Sequence, residues 1–427
     1  MDCFEELSKP PASIVTIFPK LRYLALLSPR KEIACFVPQF ITPGLTHLHL
    51  DRANDLGPSM HAFGEGCPDV RSFRAEGWTD PDMISGLICH WQNLRLVDCL
   101  DIDTELDTAI FSHLSHLHNL NCLRFKLDDL NIVDWIQSCQ SGTMLTFPTL
   151  RSLSLCAESL ESIWEFLRHL RLPVIEDITV SLDTFPTAPD VMSFLAGLQV
   201  TCAHDTLHNF TLVLGEYADD SYSDFGEDPP RYHITFDLNS DVGEDSPRYH
   251  ITFDLLHPLT VFTNIQSINI DLRCRVDLNE EDLLSLAASW PHLEEFAICN
   301  GQRWTESSGV TPGGFLQLLE KCRSLKTIHI KFDTRGYTET PQGHPWRGLS
   351  MPKGARLHIH SSPIEEESIH ALGVFFHVAL HPSIQPVTHL SNFGFPEELW
   401  CDVYALGYRL CEEREALRRS LLARFFR

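Results

Sequence analysis

Three features are scarce in this sequence of 427 residues: basic side chains, paired cysteines and long apolar runs. Lysine and arginine number 33 against 58 aspartates and glutamates, which gives a formal net charge of −25. Phosphate contacts need a basic surface, so this balance argues against a nucleic-acid partner and against an anionic membrane. No apolar run approaches the length of a spanning helix, and the acidic start MDCFEELSKPP is unlike a signal peptide. We therefore expect a protein of the cytoplasm or nucleus.

The fourteen cysteines contain no C-x-x-C pair. Several stand within or next to predicted strands, namely Cys99, Cys122, Cys156, Cys299 and Cys322. Dispersed cysteines of this kind are typical of small buried hydrophobic residues in a reducing compartment, not of a disulfide or zinc framework. A glycine-rich phosphate loop, G-x-S-x-G and H-E-x-x-H are all missing as well, so the sequence predicts no cofactor.

What the sequence does contain is a recurring phrase with the pattern L-x-x-L-x-L. It reads Leu45-x-x-Leu48-x-Leu50 in one copy, and its first residue, the anchor, recurs at Leu21, Leu45, Val70, Leu94, Leu120, Leu150, Ile175, Leu207, Ile265, Leu293 and Leu325. All but one of the gaps between anchors are 24 to 32 residues long. A unit of this length has room for a strand, a turn and an outer helix. The repeats therefore predict an α/β leucine-rich-repeat solenoid, a horseshoe with a parallel concave sheet and convex helices.

Between the anchors, the apolar period changes from two to about 3.6 residues, which indicates amphipathic helices. Such segments lie at residues 106–117, 158–170, 279–290 and 311–322. In each unit a strand is thus followed by a helix that covers it. We expect Leu48, Leu153, Ile268 and Phe296 to point from the strands into the core.

The sequence divides into three parts. Residues 1–17 are an N-terminal cap segment, residues 18–361 are the solenoid, and residues 362–427 are a C-terminal helical cap. Ser362-Pro363-Ile364-Glu365 has the pattern of a helix capping box. A final long helix carries an apolar stripe: Leu399, Val403, Leu406, Leu410, Leu417 and Leu421. The stripe is expected to cap the open end of the core, with a partner-binding or coiled-coil face as the alternative.

The one irregular gap, of 58 residues, separates Leu207 from Ile265 and holds a tandem duplication. Residues 226–238 return as residues 243–255 with a single difference, Pro229 against Ser246. The second copy runs directly into the Ile265 strand, so we interpret it as the integrated copy. The acidic segment before it predicts a surface loop. The loop and the duplicated insert together span residues 215–255.

Four longer phrases of the repeats suggest a family. They are LNEEDLLSLAASWPHLEEFAI (278–298), GVTPGGFLQLLEKCRSLKTIHI (309–330), DLLHPLTVFTNIQSINI (254–270) and IHALGVFFHVALHPSI (369–384). Their wording resembles the leucine-rich-repeat region of the F-box-type proteins abundant in mushroom-forming fungi. In that family an N-terminal F-box docks on the adaptor of a cullin-RING ubiquitin ligase, and the repeats hold a substrate. The resemblance implies a non-catalytic protein-recognition module, the substrate-binding region of such a receptor or of a truncated relative.

Seventeen residues precede the first repeat, which is too few for an F-box. We therefore expect this sequence to bind the ligase adaptor only if an F-box lies upstream in the gene. The alternative is a stand-alone leucine-rich-repeat scaffold without a ligase link. In either case the partner is a protein whose identity the sequence does not give.

Two motifs resemble catalytic or metal-binding sequences. Their positions in the repeats are better explained by structural roles. Asp101-Ile102-Asp103-Thr104 looks like the nucleophile loop of haloacid-dehalogenase-type phosphatases, but its place after a repeat strand favours a helix cap. His113, His116 and His118 point in different directions around a helix end, so we predict no metal site there. We expect a protein that is not an enzyme.

What remains is the outer face of the sheet, where every second strand residue points away from the core. Its central row is predicted to be His49, Arg74, Asp98, Arg124, Ser154, Thr179, Thr211, Asn269, Ala297, His329 and His358. Lys126 and Arg356 lie in flanking rows. We predict that His49, Arg74, Arg124, Lys126, His329 and His358 belong to a partner-binding face, with a merely solvated face as the alternative. Arg74, Arg124 and Lys126 are expected to face solvent and to attract an acidic partner.

Overall fold

The protein is described from a computed structural model. The structure describes residues 18–29, 36–77, 81–100, 108–127, 144–215, 249–299, 304–305, 309–337, 351–352, 355–359, 362, 364–379 and 397–425. The chain forms two compact units: Met1–Pro186 with Ser193–Leu207 is unit 1, and Thr187–Met192 with His208–Arg427 is unit 2.

The main sheet of unit 1 is parallel, and each repeat contributes one strand to it. Its strands, in chain order and in spatial order, are β1 Tyr23–Leu27, β2 His47–Asp51, β3 Ser72–Glu76, β4 Leu96–Cys99, β5 Cys122–Leu127, β7 Ser152–Ala157 and β9 Asp177–Leu182. Equivalent residues of successive phrases pair directly, as Leu48 does with Phe73. The repeat spacing therefore sets the strand register.

The main sheet of unit 2 follows the same rule. Its strands are β10 Asn209–Leu214, β12 Ser267–Asp271, β14 Glu295–Ile298, β15 Thr327–Ile330 and β16 Arg356–Ile359. Strands β10 and β12 are direct neighbours, with Phe210 opposite Ile268. The long irregular gap in the sequence therefore adds no strand between them.

Alternation of apolar and polar residues decides which face of each strand is buried. Leu48, Leu153, Ile268 and Phe296 are all buried, as the phrase predicts. Burial of such side chains contributes roughly 1.5–3 kcal/mol each. The predicted fold class, an α/β leucine-rich-repeat architecture with parallel strands and accompanying helices, is confirmed in each unit.

The helices lie between the strands in sequence. They are α1 Val37–Phe40, α2 His61–Gly66, α3 Pro81–His90, α4 Thr108–Ser115, α5 Leu160–Leu167, α6 Ala188–Thr201, α7 Phe253–Leu256, α8 Glu280–Ser289, α9 Pro312–Lys321, α10 Ile369–Ala379 and α11 Glu397–Phe425. The four segments predicted from apolar periodicity correspond to α4, α5, α8 and α9. Asn279 and Asp282 form a reciprocal capping box at the start of α8, which fixes where that helix begins.

Two small parallel sheets were not predicted. One pairs β6 (Leu145–Thr146) with β8 (Leu170–Arg171), and the other pairs β11 (His250–Ile251) with β13 (Arg275–Val276). Each uses only two residues per strand, which is too short for an alternating pattern to be visible in the sequence. Strand β11 lies in the second copy of the duplication, so this copy is integrated into the fold as predicted.

The predicted capping box at Ser362 is wrong. The helix α10 begins at Ile369 after a 3-10 turn, Glu366–Ser368. The Ser362 hydroxyl instead accepts a hydrogen bond from the backbone N–H of Phe332 at 2.8 Å. Its carbonyl accepts one from Trp400 Nε1 at 3.1 Å. Ser362 thus links the last repeat to α11. Its hydroxyl also gives the backbone N–H of Phe332 an acceptor, and a buried N–H without an acceptor would be destabilising.

Only the first part of α11 packs against the rest of unit 2 in the way that a C-terminal cap requires. Trp400 and Val403 are buried, and Leu406 lies against Gly373 of α10. Farther along the same stripe, Leu417 is 64% exposed. The 29 residues of α11 span about 44 Å at 1.5 Å per residue, far longer than the 11 residues of α10 that it packs on. The apolar stripe of α11 therefore extends beyond the part of the helix that packs against α10.

Three parts of the sequence prediction lie outside the described residues. They are the N-terminal cap segment 1–17, the Asp101–Thr104 motif, and the acidic loop with the first copy of the duplication.

Candidate functional site

The central row on the outer face of the main sheets is formed as predicted. In unit 1, His49 pairs with Arg74, Arg74 with Asp98, and Asp98 with Arg124. The row continues from Arg124 through Ser154 to Thr179. In-register parallel strands lie about 4.8 Å apart, so neighbours in the row are within reach of one another.

Five side chains of unit 1 form a continuous series of alternating charge, which we call the charged row: His49, Glu76, Arg74, Asp98 and Arg124. Its contacts are His49 Nε2 to Glu76 Oε1 at 3.3 Å, Arg74 Nε to Glu76 Oε1, Arg74 Nε to Asp98 Oδ2 at 3.8 Å, and Arg124 Nη1 to Asp98 Oδ2 at 3.1 Å. These contacts join four neighbouring strands, β2 to β5. Each carboxylate therefore lies between two basic groups.

The charged row is only partly in contact with solvent. The side chain of Asp98 is 8% exposed, and those of Arg124 and Arg74 are 17% and 28% exposed. The hydrogen bond from His49 and the charge of Arg74 together hold the pKa of Glu76 below its ordinary value of 4.5, although partial burial opposes them. Glu76 is thus an ionised acceptor at neutral pH.

The expectation of solvent-facing, attractive cations needs correction. Arg74 and Arg124 lie where the sequence placed them, but both contact carboxylates of the same face. Lys126 Nζ likewise lies 3.6 Å from Asp183 Oδ2. Their charges are therefore largely balanced within the molecule. Sequence reasoning placed Asp98 between Arg74 and Arg124 in the row but did not foresee that its carboxylate pairs with both. It also did not include Glu76 among the residues of the site.

The outer face of unit 2 has a different character. His329 and His358 are paired in register, and their rings stack with centroids 3.9 Å apart and planes 10° apart. Next to His358 on β16, Arg356 is exposed and forms no ion pair with any residue in the described ranges. Lys331, just beyond β15, is buried, and its Nζ donates to the Thr305 carbonyl at 2.6 Å. Basic groups therefore predominate on these two strands.

Neither metal-binding nor nucleophilic chemistry is evident in the described part of the chain. No group of three or more His, Cys, Asp and Glu side chains there has a metal-binding arrangement. His113 and His116 each contact a main-chain carbonyl instead, of Trp91 and Ser112. Burial raises the pKa of the Cys202, Cys299 and Cys322 thiols to about 12, so these thiols are protonated.

Among the described helices, none has the length and hydropathy that crossing a bilayer would require.

No protein-family model matches the chain, and no curated protein matches it. Among solved structures, the crystal structure of the Rad7 and Elc1 complex in yeast aligns with 79% of this chain and 85% of its own, at 15% identity and a TM-score of 0.37. The TLR13–ssRNA13 complex aligns with 84% of this chain and 58% of its own, at 13% identity and a TM-score of 0.26. At these sequence identities and TM-scores, neither similarity indicates a function for this chain.

Proposed function

We propose that this chain is a non-catalytic protein-recognition module that holds a protein partner on the outer faces of its main sheets. The observation that carries the proposal is the charged row of unit 1. Placing a nearly buried carboxylate such as Asp98 on an outer face costs desolvation free energy. A small apolar residue at this position would cover the core without that cost. The row instead presents ordered hydrogen-bonding groups of both charge signs, which is typical of a surface that selects a partner.

We further propose the finer role of a substrate-binding repeat region in an F-box-type ubiquitin-ligase receptor, or in a truncated relative of one. Support comes from the resemblance of the repeats to that family. Two of the resembling phrases, 278–298 and 309–330, contain helix–strand pairs of unit 2, α8 with β14 and α9 with β15. The adaptor of a cullin-RING ligase is a partner in this proposal only where an F-box precedes this sequence. A stand-alone scaffold is the second candidate.

We place this function in the cytoplasm or nucleus. The ten cysteines for which the structure describes a state are not joined in disulfides. Free, dispersed thiols fit a reducing compartment, in which protein partners rather than secreted ligands are encountered.

Site-specific photo-crosslinking tests the recognition surface. A photoreactive residue is introduced at Thr179 or Asn269 on the sheet faces, and at Glu161 or Val200 on helices as matched controls. The variants are compared in extracts of cells that express the protein. We expect one partner to be crosslinked from the sheet positions and not from the helix positions. Crosslinking of that partner only from the helix positions would contradict the proposal.

Co-purification tests the ligase role separately. We expect this chain alone to leave the ligase adaptor unbound, and a chain extended by an upstream F-box to bind it. If the extended chain also fails to bind, the stand-alone scaffold is the correct alternative.

A further inference from the structure

Strands β15 and β16 present a basic surface with no described carboxylate on its outer face. The outward residues of these strands are Thr327, His329, Arg356 and His358. In the same register row, Glu295 is the nearest described acidic side chain, opposite Thr327 on β14. It accepts a hydrogen bond from Ser267 at 3.1 Å and lies two strands, or about 10 Å, from Arg356.

This arrangement differs from the charged row of unit 1 in one respect. There, Arg74, Arg124 and Lys126 each have a carboxylate within 3.8 Å. An incoming anion would have to displace that carboxylate. On β16 the guanidinium of Arg356 forms no ion pair within the described ranges and is exposed. Among the described residues, an anion therefore encounters no competing carboxylate at Arg356.

The neighbouring side chains suit a carboxylate. The guanidinium of Arg356 is planar and can donate two parallel hydrogen bonds to one carboxylate. The stacked imidazole rings of His329 and His358 lie in the adjacent row and add polar groups to this surface.

We propose that Arg356, His329 and His358 form a docking site for an acidic segment of a protein partner, a run of Asp or Glu side chains in an extended peptide. This inference rests on the proposed recognition function and names the chemistry that one part of the surface selects. The net charge of the whole chain, −25, disfavours a long polyanion such as a nucleic acid. A short acidic segment confined to β15 and β16 avoids most of that repulsion.

Fluorescence anisotropy with a labelled oligoglutamate peptide tests the site on the full chain. We expect salt-sensitive binding that weakens roughly tenfold in Arg356→Glu, because one charge-assisted contact of about 1.5 kcal/mol corresponds to that factor. Arg356→Lys should recover only part of the affinity, since lysine lacks the guanidinium fork. His329→Gln and His358→Gln should each weaken binding less. Arg151→Glu is the matched control: it reverses an exposed arginine of unit 1 that is paired with Glu176, and should leave binding unchanged.

Three results would overturn the proposal: no binding to the wild-type chain, equal binding by Arg356→Glu, or tighter Arg356-dependent binding of a single-stranded oligothymidylate of equal charge. A thermal melt of each variant checks that the fold is intact. The two hypotheses fail separately. Crosslinks on the sheet faces without peptide binding would leave the recognition function standing and remove this site. Peptide binding together with partner crosslinks only from the helix positions would leave this site standing and contradict the proposed recognition function.

Discussion

Arg124 donates a hydrogen bond from Nη1 to Oδ2 of Asp98, at 3.1 Å, across the adjacent strands β4 and β5. Asp98 is the more deeply buried partner, and its other basic neighbour, Arg74, is farther away, at 3.8 Å. Arg124 therefore compensates a carboxylate that has lost most of its water. The pair stabilises the sheet as well as shaping its outer face.

Replacing Arg124 with Gln should destabilise unit 1 by about 1–3 kcal/mol, because it leaves the Asp98 carboxylate poorly paired. Asp98→Asn combined with Arg124→Gln should recover part of that loss, since the buried charge is then gone. Arg151→Gln, which breaks an exposed ion pair with Glu176, should cost less than about 1 kcal/mol. Urea denaturation of the variants measures these differences. An unchanged midpoint for Arg124→Gln would contradict the interpretation.

The same contacts change the expected effect of reversing charge on this face. If Arg74 and Arg124 simply faced solvent, substituting both with Glu would leave folding intact. Because both contact Asp98, the double reversal should instead lower the thermal midpoint. Neutral glutamine variants are therefore the better choice for binding studies at this surface.

The stability that Glu76 contributes should depend on pH. Its pKa in the folded protein is lowered below 4.5, first by the hydrogen bond from His49 and then by Arg74. A group with a depressed folded pKa stabilises the fold above its unfolded pKa, and this contribution is lost as the pH falls through the folded value. The difference in thermal midpoint between wild type and Glu76→Gln should thus shrink as the pH falls below about 4.5. A difference that grows as the pH falls would contradict this prediction, because it would mean that folding raises the pKa of Glu76.

Two helical glycines should respond to alanine in opposite directions. Gly197 lies against the indole ring of Trp164, and an added Cβ would overlap that ring. Gly86 has room, because its added Cβ would meet no atom nearer than His61 Cε1 at 3.8 Å. Alanine favours a helix by about 1 kcal/mol over glycine, so Gly86→Ala should raise the thermal midpoint. Gly197→Ala should lower it, since displacing a packed tryptophan costs more than the propensity gain. Thermal melts of both variants decide the matter, and a rise in both would refute the close approach to Trp164.

Deleting residues 226–242, the first copy of the duplication, should leave unit 2 folded. Strands β10 and β12 pair directly, and the second copy already supplies β11 and α7. Shortening a connection changes its closure entropy by only a few tenths of a kcal/mol. A hairpin formed by both copies is disfavoured, because residues 253–256 of the second copy are helical. A thermal midpoint several degrees lower in the deletion variant would nevertheless show that the first copy contributes to the fold.

The sequence by itself determined the backbone plan. The spacing of Leu45, Leu48 and Leu50 sets which strand residues face the core, and the recurrence of that spacing brings equivalent residues of successive repeats side by side. The order of the central row from His49 onward therefore follows from the sequence alone. The physical reason is that strand alternation and repeat length are local properties, and hydrophobic burial strongly disfavours any other register.

Only the tertiary structure decided which side chains of that row meet. Asp98 and Arg124 are 26 residues apart and pair across two strands, whereas Arg356 is left without such a carboxylate in the described ranges. In the same way, Ser362 matched a capping pattern yet caps no helix, because Phe332 and Trp400 approach it from distant parts of the chain. A repeated sequence makes many pairings between neighbouring strands equally available. The burial, length and rotamer of each side chain then decide which of these pairings form. The burial and the rotamer depend on the packed environment rather than on local sequence.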